Sequence, residues 1–183
     1  MSNMTNHSTY VDKETISMLR TIHQKQVQLV SLADQKANML MGILVIGLSI
    51  VATNLYTYKS EINSLMTTAL IFLFSLLELI SIFFAIWVIA PRIKFYKGTI
   101  DISKSKNPLF FMESSGTNED TYVSYMLKQF KSPKRVYELL LIDFYQIGTV
   151  LKEKYKYLSL AYLAAVLGLI PAIFLLIIIF TGK

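Results

Sequence analysis

Three long stretches almost free of charged residues place the strongest constraint on how this chain can fold. Residues 37–58 carry no charge over 22 positions, residues 62–91 carry one over 30, and residues 157–181 carry none over 25. A helix rises about 1.5 Å per residue, so roughly 20 residues cross a hydrocarbon core about 30 Å thick. A helix buried in a soluble protein is typically shorter and keeps a polar stripe. The sequence therefore predicts three transmembrane helices.

The distribution of Lys and Arg predicts the orientation in the membrane. Of the 18 basic residues, 16 lie in residues 1–38 and 92–156, which fall on the same side if the chain crosses three times. Because cytoplasmic flanks collect Lys and Arg, we expect a cytoplasmic N-terminus and an external C-terminus. The net charge of +6 is then explained by topology and by anionic lipid headgroups, in preference to nucleic-acid binding.

These patterns predict an all-α integral membrane protein with three transmembrane helices and a small cytoplasmic helical bundle. A polar stretch at the N-terminus is expected to be disordered, and residues 57–64 to form a tight external turn. Helix starts are predicted at Thr117-Asn118-Glu119-Asp120, with an acidic first turn, and at Ser132-Pro133. The predicted segments are a disordered stretch (1–11), a helical arm (12–38), spans at 39–57, 65–90 and 157–180, and a cytoplasmic loop with helices (91–156).

Two apolar seams extend from the predicted spans into the polar segments. One runs along residues 16–40 with alternating three- and four-residue spacing, and includes His23 and Gln26. The other runs along residues 136–161 and includes Asp143 and Lys154. The simplest partner for each seam is the other. A buried Asp143 carboxylate would need a cationic partner, and the candidates on the arm are Arg20, His23 and Lys25.

The residue inventory argues against an enzyme. The chain has no cysteine and two histidines, His7 and His23, which are too far apart in sequence to indicate a metal site. No serine with a partnered histidine, glycine-rich phosphate loop or metal-ligand spacing is found. We therefore predict neither catalytic residues nor a metal.

Three sequence blocks resemble those of the transmembrane Pycsar effector family. The first is Leu-Ala-Asp-Gln-Lys-Ala-Asn-Met-Leu-Met-Gly-Ile at residues 32–43. The second is Pro91 followed by Asn-Pro-Leu-Phe-Phe at 107–111, and the third includes Asp143, Gln146 and Lys-Tyr-Lys-Tyr-Leu at 154–158. The blocks occur in the family's order, and the resemblance covers residues 15–180.

The resemblance implies a bacterial antiphage effector of the inner membrane. A partner pyrimidine nucleotide cyclase would make cUMP or cCMP during infection, and this cyclic nucleotide would activate the effector as its ligand. The effector would then impair the inner membrane and stop the cell before phage mature (abortive infection). A homo-oligomer is expected, and no further cofactor is implied.

Six residues are candidates for contact with such a ligand. Lys36 could meet a phosphate, Asp34 could meet a base edge or ribose hydroxyl, and an aromatic ring could stack on a base. The simpler alternatives are that the lysines anchor helices at the headgroups and that the rings pack between helices. The full set is Asp34, Lys36, Asn107, Phe110, Phe111 and Lys154.

Glu78 is a separate candidate because it lies near the middle of the second predicted span. An ionised side chain there costs at least about 2.5 kcal/mol and is a functional hypothesis by default. In an oligomer, a ring of Glu78 carboxylates would favour cations. The alternative is a protonated side chain that hydrogen-bonds between helices, with four possible partners: Ser49, Asn54, Ser75 and Ser81.

Two other functions remain open at this point. A constitutive membrane anchor or scaffold would hold a cytoplasmic partner, conduct nothing and ignore cyclic nucleotides. A small channel or transporter subunit would conduct without a cyclase, although the chain lacks the inverted repeats and broken helix pairs of many transporters.

Overall fold

A computed structural model describes residues 5–57, 64–90, 101–110 and 114–181. Its elements are α1 (Thr5–Thr57), α2 (Leu65–Ile89), a short 3₁₀ helix (Ile102–Lys104), α3 (Glu119–Phe130) and α4 (Pro133–Thr181). The chain divides into two compact units. The polar unit comprises Met1–Leu29 with Pro91–Leu151, and the apolar unit comprises Val30–Ala90 with Lys152–Lys183.

The predicted all-α class is confirmed, and the described residues contain no β-strand. Three helices, α1, α2 and α4, are long and apolar enough to cross a membrane. Both α1 and α4 contribute residues to each of the two units. No proline interrupts either helix where it passes from one unit to the other, which is after Leu29 in α1 and after Leu151 in α4. Further along, α4 continues through Pro171 to Thr181. A proline is tolerated in a membrane-spanning helix where neighbouring groups satisfy the freed carbonyl.

The helix ends follow local rules that the sequence displays. α3 begins at Glu119, within the predicted run of residues 117–120, and Asn118 caps it by accepting a hydrogen bond from the backbone amide of Asp120. α4 begins at Pro133, as predicted. α2 ends at Ala90, whose ψ of 126° is extended. An extended conformation is favoured there because the next residue is Pro91, whose ring disfavours helical geometry in the residue before it.

The predicted start of α1 was wrong. The helix begins at Thr5 and not at Asp12, so residues 5–11, which were expected to be disordered, are helical. Extending an existing helix adds one backbone hydrogen bond for each residue fixed, which lets a stable helix recruit a weakly helical flank. The start of the predicted disordered segment, the tip of the 57–64 turn and the beginning of the 91–156 loop lie outside the described residues.

Small side chains line the centre of the apolar unit. Ala33 and Ala37 on α1, Ala85 on α2 and Ala161 on α4 are fully buried. They form one cluster with four larger apolar residues: Leu40, Leu44, Val88 and Leu158. Alanines allow helix backbones to approach closely, which is the usual basis of helix association in lipid. The cluster contains three members of the predicted α1 seam (Ala33, Ala37 and Leu40) and one of the predicted α4 seam (Ala161).

The polar unit has its own small core. Ile102 of the 3₁₀ helix, Met126 of α3, and Leu139 and Phe144 of α4 are buried there. Leu139 and Phe144 flank the predicted seam positions Leu140 and Asp143, which are only half-buried. The packed face of α4 is wider than predicted because the 101–110 segment contacts it as well as α1.

We expect Ala37→Leu to destabilise the apolar unit by about 1–3 kcal/mol, because a larger side chain overpacks a contact between helices. Thermal unfolding in detergent micelles, followed by helical circular dichroism, measures this change. Met39→Leu is the control, since Met39 is 67% exposed on the same helix. Equal midpoints for the two variants would contradict the close alanine contact.

Candidate functional site

Asn107 is the centre of a hydrogen-bond network in the polar unit. Its Nδ2 donates to Asp143 Oδ1 and to Gln146 Oε1, each at 2.9 Å, and its Oδ1 accepts from the Leu109 amide at 3.1 Å. A carboxamide has two N–H donors, and both are used here. The side chain is also fully buried. Asn107 therefore fastens the 101–110 segment to α4, and a ligand could contact its side chain only after this network opens.

The start of the same segment is held by a local turn. Asp101 Oδ1 accepts from the Ser103 hydroxyl at 2.6 Å and from the Ser103 backbone amide at 3.1 Å. These hydrogen bonds hold the pKa of the Asp101 carboxyl below its ordinary value. They also fix the 3₁₀ helix that precedes Asn107.

Asp143 connects α1 to this network. Its Oδ2 lies 3.3 Å from His23 Nε2, while its Oδ1 accepts from Asn107. The His23 ring also lies 5.7 Å from the ring of Phe144, centroid to centroid. Of the three arm residues proposed as partners for this carboxylate, the structure therefore selects His23. One carboxylate thus joins α1, the 101–110 segment and α4.

Gln26, one turn beyond His23, carries a feature that sequence reasoning missed. Its Oε1 is buried without a hydrogen-bond partner in the described part of the chain. Its Nε2 lies 3.8 Å from the point that a Cβ on Gly148 would occupy, so it packs on a glycine of α4. An unpaired buried acceptor is costly. The sequence feature that could have indicated this is the position of Gln26, a polar residue, on the apolar seam of α1.

The aromatic candidates are only partly described. Phe110 is 38% exposed, and its amide donates to the Asn107 carbonyl at 3.0 Å. Phe111 lies outside the described residues. Stacking of a base on either ring stays a prediction.

In the apolar unit, Lys154 of α4 joins three helices. Its ammonium pairs with Asp34 of α1 and donates to the Val88 carbonyl of α2 at 2.9 Å. Val88 lies in the last turn of α2, where carbonyls lack partners within the helix and a lysine can cap them. The Lys154 side chain is 13% exposed and that of Asp34 is 34% exposed. Two residues predicted to bind a ligand are therefore in contact with each other, and each neutralises the charge of the other.

Lys36 does not join this contact. It is exposed, and two residues along a helix separate it from Asp34 by more than half a turn. The predicted ligand residues are thus distributed between the units. Asp34, Lys36 and Lys154 belong to the apolar unit, and Asn107 and Phe110 belong to the polar unit.

Glu78 is buried in the apolar unit with 4% of its surface exposed. Its Oε2 has no hydrogen-bond partner in the described part of the chain. Its Oε1 lies 2.9 Å from the point that a Cβ on Gly168 would occupy. Because any larger residue at position 168 would displace the carboxyl group, Gly168 provides the space for Glu78 against α4.

The four side chains proposed to hydrogen-bond Glu78 mostly bond elsewhere. The Ser81 hydroxyl donates to the Ala161 carbonyl at 2.8 Å and so joins α2 to α4. Ser49 and Asn54 donate to carbonyls of their own helix, also at 2.8 Å. Three of the four proposed donors are therefore committed to other acceptors.

Within the described residues, no group of three or more acidic or histidine side chains could hold a metal ion. The arrangement instead consists of two polar contacts between helices and one buried carboxyl group. These are the features of a helix assembly whose packing depends on a few charged and polar groups.

The family model described as "Pycsar effector protein domain" matches residues 18–181. This match spans most of the chain, and the protein belongs to the Pycsar effector family. Together with the three long apolar helices, membership makes it an integral membrane protein and an antiphage effector. No curated protein and no solved structure matches the chain.

We expect Asn107→Ala to loosen the polar unit, because the substitution removes two donors and leaves the Asp143 and Gln146 acceptors short of a partner. The expected loss is about 1–3 kcal/mol. Hydrogen exchange by mass spectrometry should show roughly tenfold or faster exchange in peptides covering residues 101–110 and 143–146. Lys106→Ala, at an exposed neighbouring position, is the control. Unchanged exchange in Asn107→Ala would show that the network contributes nothing to the fold.

We expect Lys154→Met to destabilise the apolar unit more than the double variant Lys154→Met/Asp34→Leu, because the single change leaves a carboxylate unpaired. The coupling energy between the two positions should reach roughly 1 kcal/mol or more. Thermal unfolding of the four proteins of this cycle in detergent measures it. Lys152→Met, which removes an exposed lysine two residues away in sequence, should change little. Additive effects at positions 34 and 154 would rule out a significant ion pair.

Proposed function

We propose that a cyclic pyrimidine nucleotide, cUMP or cCMP from a partner cyclase, activates this effector, which then impairs the inner membrane of its bacterial host. Membership of the Pycsar effector family supports the general role. The single observation that carries the mechanism is the Lys154 ammonium, which is shared between Asp34 and the Val88 carbonyl. One cation thereby connects all three apolar helices.

A phosphate is the kind of anion that competes with a carboxylate for a lysine ammonium. If the ligand phosphate takes Lys154, then Asp34 loses its partner and the last turn of α2 loses its cap. The ligand would bind the released arrangement more tightly than the resting one, since only the released ammonium is free to meet it. Such a difference in affinity is what allows a ligand to shift a conformational equilibrium.

The remaining candidates are assigned separate roles within this proposal. Lys36 is exposed and could attract the anion at the same end of the apolar unit. Within the polar unit taken by itself, a base could stack on Phe110 or Phe111, and Asn107 holds the 101–110 segment against α4. Each of these roles can be tested by substituting that residue alone, because the evidence for one residue does not depend on the others.

Glu78 would favour the change in the apolar helices. Its carboxyl group is buried, and one oxygen lacks a partner in the part of the chain that the structure describes, which raises the free energy of the resting arrangement by about 1–3 kcal/mol. Separation of α2 from α4 would let water reach this oxygen and remove the cost. The Glu78 carboxyl group would thus lower the binding free energy that the nucleotide must provide to shift the equilibrium.

The proposed function is tested by membrane potential in bacteria that express the protein, read with a voltage-sensitive dye. Depolarisation with an active pyrimidine cyclase, and not with an inactive cyclase, would support it. Depolarisation with either cyclase would indicate an unregulated channel. An intact potential in both cultures, with the protein verified in the membrane, would favour a constitutive anchor.

In the same assay, we expect Glu78→Leu to weaken cyclase-dependent depolarisation, because the apolar side chain removes the buried unpartnered oxygen from the resting state. A change of about 1–3 kcal/mol corresponds to roughly 5–150-fold in the equilibrium. The matched control is Leu79→Met, at the adjacent position of α2, where the side chain is 59% exposed. A full response from Glu78→Leu would remove Glu78 from the mechanism.

A further inference from the structure

The short helix α3 of the polar unit has one packed face. Met126 is 5% exposed, and α3 lies against the 3₁₀ helix Ile102–Lys104. The Asn118 cap and the acidic residues Glu119 and Asp120 stabilise its first turn. The helix is therefore anchored through one side, and its other side is available for contact with something else.

An apolar stripe lies beside the packed face. Val123 is 47% exposed, Leu127 is 59% exposed and Phe130 is 53% exposed. Their spacing of four and then three residues places them on one side of the helix. Isolated apolar residues on a surface need no explanation, but three in helical register form an amphipathic face.

Exposed basic residues follow the stripe toward its C-terminal end. They are Lys128, Lys131 and Lys134, whereas the neighbouring Arg135 is already bonded to Gln129 and Glu138. Apolar side chains flanked by lysines are typical of a helix that lies at an anionic lipid surface. The acidic residues lie at the opposite end of α3, in the first turn that they stabilise.

We propose that α3 binds the surface of an anionic bilayer, with Val123, Leu127 and Phe130 at the boundary of the acyl chains and the lysines at the phosphate headgroups. A stable protein interface takes roughly 20–30 residues from each partner. Three side chains are too few for that, but they suit a helix in a protein that other helices already hold in the membrane. This inference does not depend on activation by a nucleotide.

The absence of cysteine from the sequence allows a clean test. Leu127→Cys carries an environment-sensitive fluorophore in the full-length protein, reconstituted in nanodiscs of phosphatidylcholine with or without phosphatidylglycerol. Thr121→Cys, on the exposed polar side of α3, is the matched control. Phe130→Cys repeats the measurement at a second position of the stripe.

With phosphatidylglycerol, we expect the probes at positions 127 and 130 to shift to shorter wavelength and to be quenched by lipids with spin-labelled acyl chains. The probe at position 121 should do neither. Replacing Lys128, Lys131 and Lys134 with Gln should remove the dependence on phosphatidylglycerol, and added salt should weaken it.

Three results would overturn the proposal. Probes at 127 and 130 as water-exposed as the probe at 121 would show that the stripe does not meet lipid. An equal shift without phosphatidylglycerol would exclude the role of the lysines. A shift without lipid quenching, accompanied by energy transfer between labelled copies, would show that the stripe contacts a second copy of the chain.

Discussion

A hydrocarbon core offers no hydrogen-bond partner to a peptide group, so each segment that crosses it must satisfy its own backbone. This constraint accounts for the three long helices, and it also makes the few polar groups among them important. In lipid, helices gain little from burying apolar surface against one another, so close packing and polar contacts decide how they associate. The fully buried alanines provide the close packing, and the Ser81 hydroxyl adds a hydrogen bond from α2 to α4.

Against this background, two polar features of the apolar unit have opposite effects. Lys154 is satisfied by Asp34 and Val88, and it holds three helices at one end of the unit. Glu78 has an oxygen without a partner among the described residues, and a buried unpaired acceptor raises the energy of the same arrangement. A resting state that combines a stabilising contact with a destabilising one can be displaced by a modest ligand binding energy. The proposed activation uses this balance. A phosphate would remove the stabilising contact of Lys154, and hydration of Glu78 would relieve the destabilising one.

Much of the architecture follows from patterns that are local in sequence. Charge-free length predicted the three spans, and the rules for capping and proline predicted where α3 and α4 begin. The sequence predicted that Asp143 pairs with a basic residue of the arm, because a carboxylate on an apolar seam needs a partner, but it did not predict which residue. The residue that pairs with Asp143 depends on the register of α1 against α4. A seven-residue repeat does not determine that register when both seams contain polar residues.

The parts that could not be predicted depend on contacts between residues distant in sequence. Asn107 looked available for a ligand, but its donors are used by α4, more than 30 residues away along the chain. Lys154 looked like a headgroup anchor until Val88 and Asp34 were found beside it. The space that Gly168 leaves for Glu78 is likewise a property of two packed helices, and no spacing within either helix indicates it.

In the proposed activation, a cyclic pyrimidine nucleotide acts directly on this protein to open the membrane. The most direct measurement is release of a trapped fluorescent dye from liposomes that contain the purified protein alone, after addition of cUMP or cCMP. We predict release with at least one of these nucleotides and none with uridine or cytidine 5′-monophosphate. Because Lys154→Met removes the contacts that hold the resting state, its release should no longer require a nucleotide, whereas release from Lys152→Met should still require one. Liposomes that stay sealed with both cyclic nucleotides, while the protein is folded and inserted, would contradict direct activation by a nucleotide.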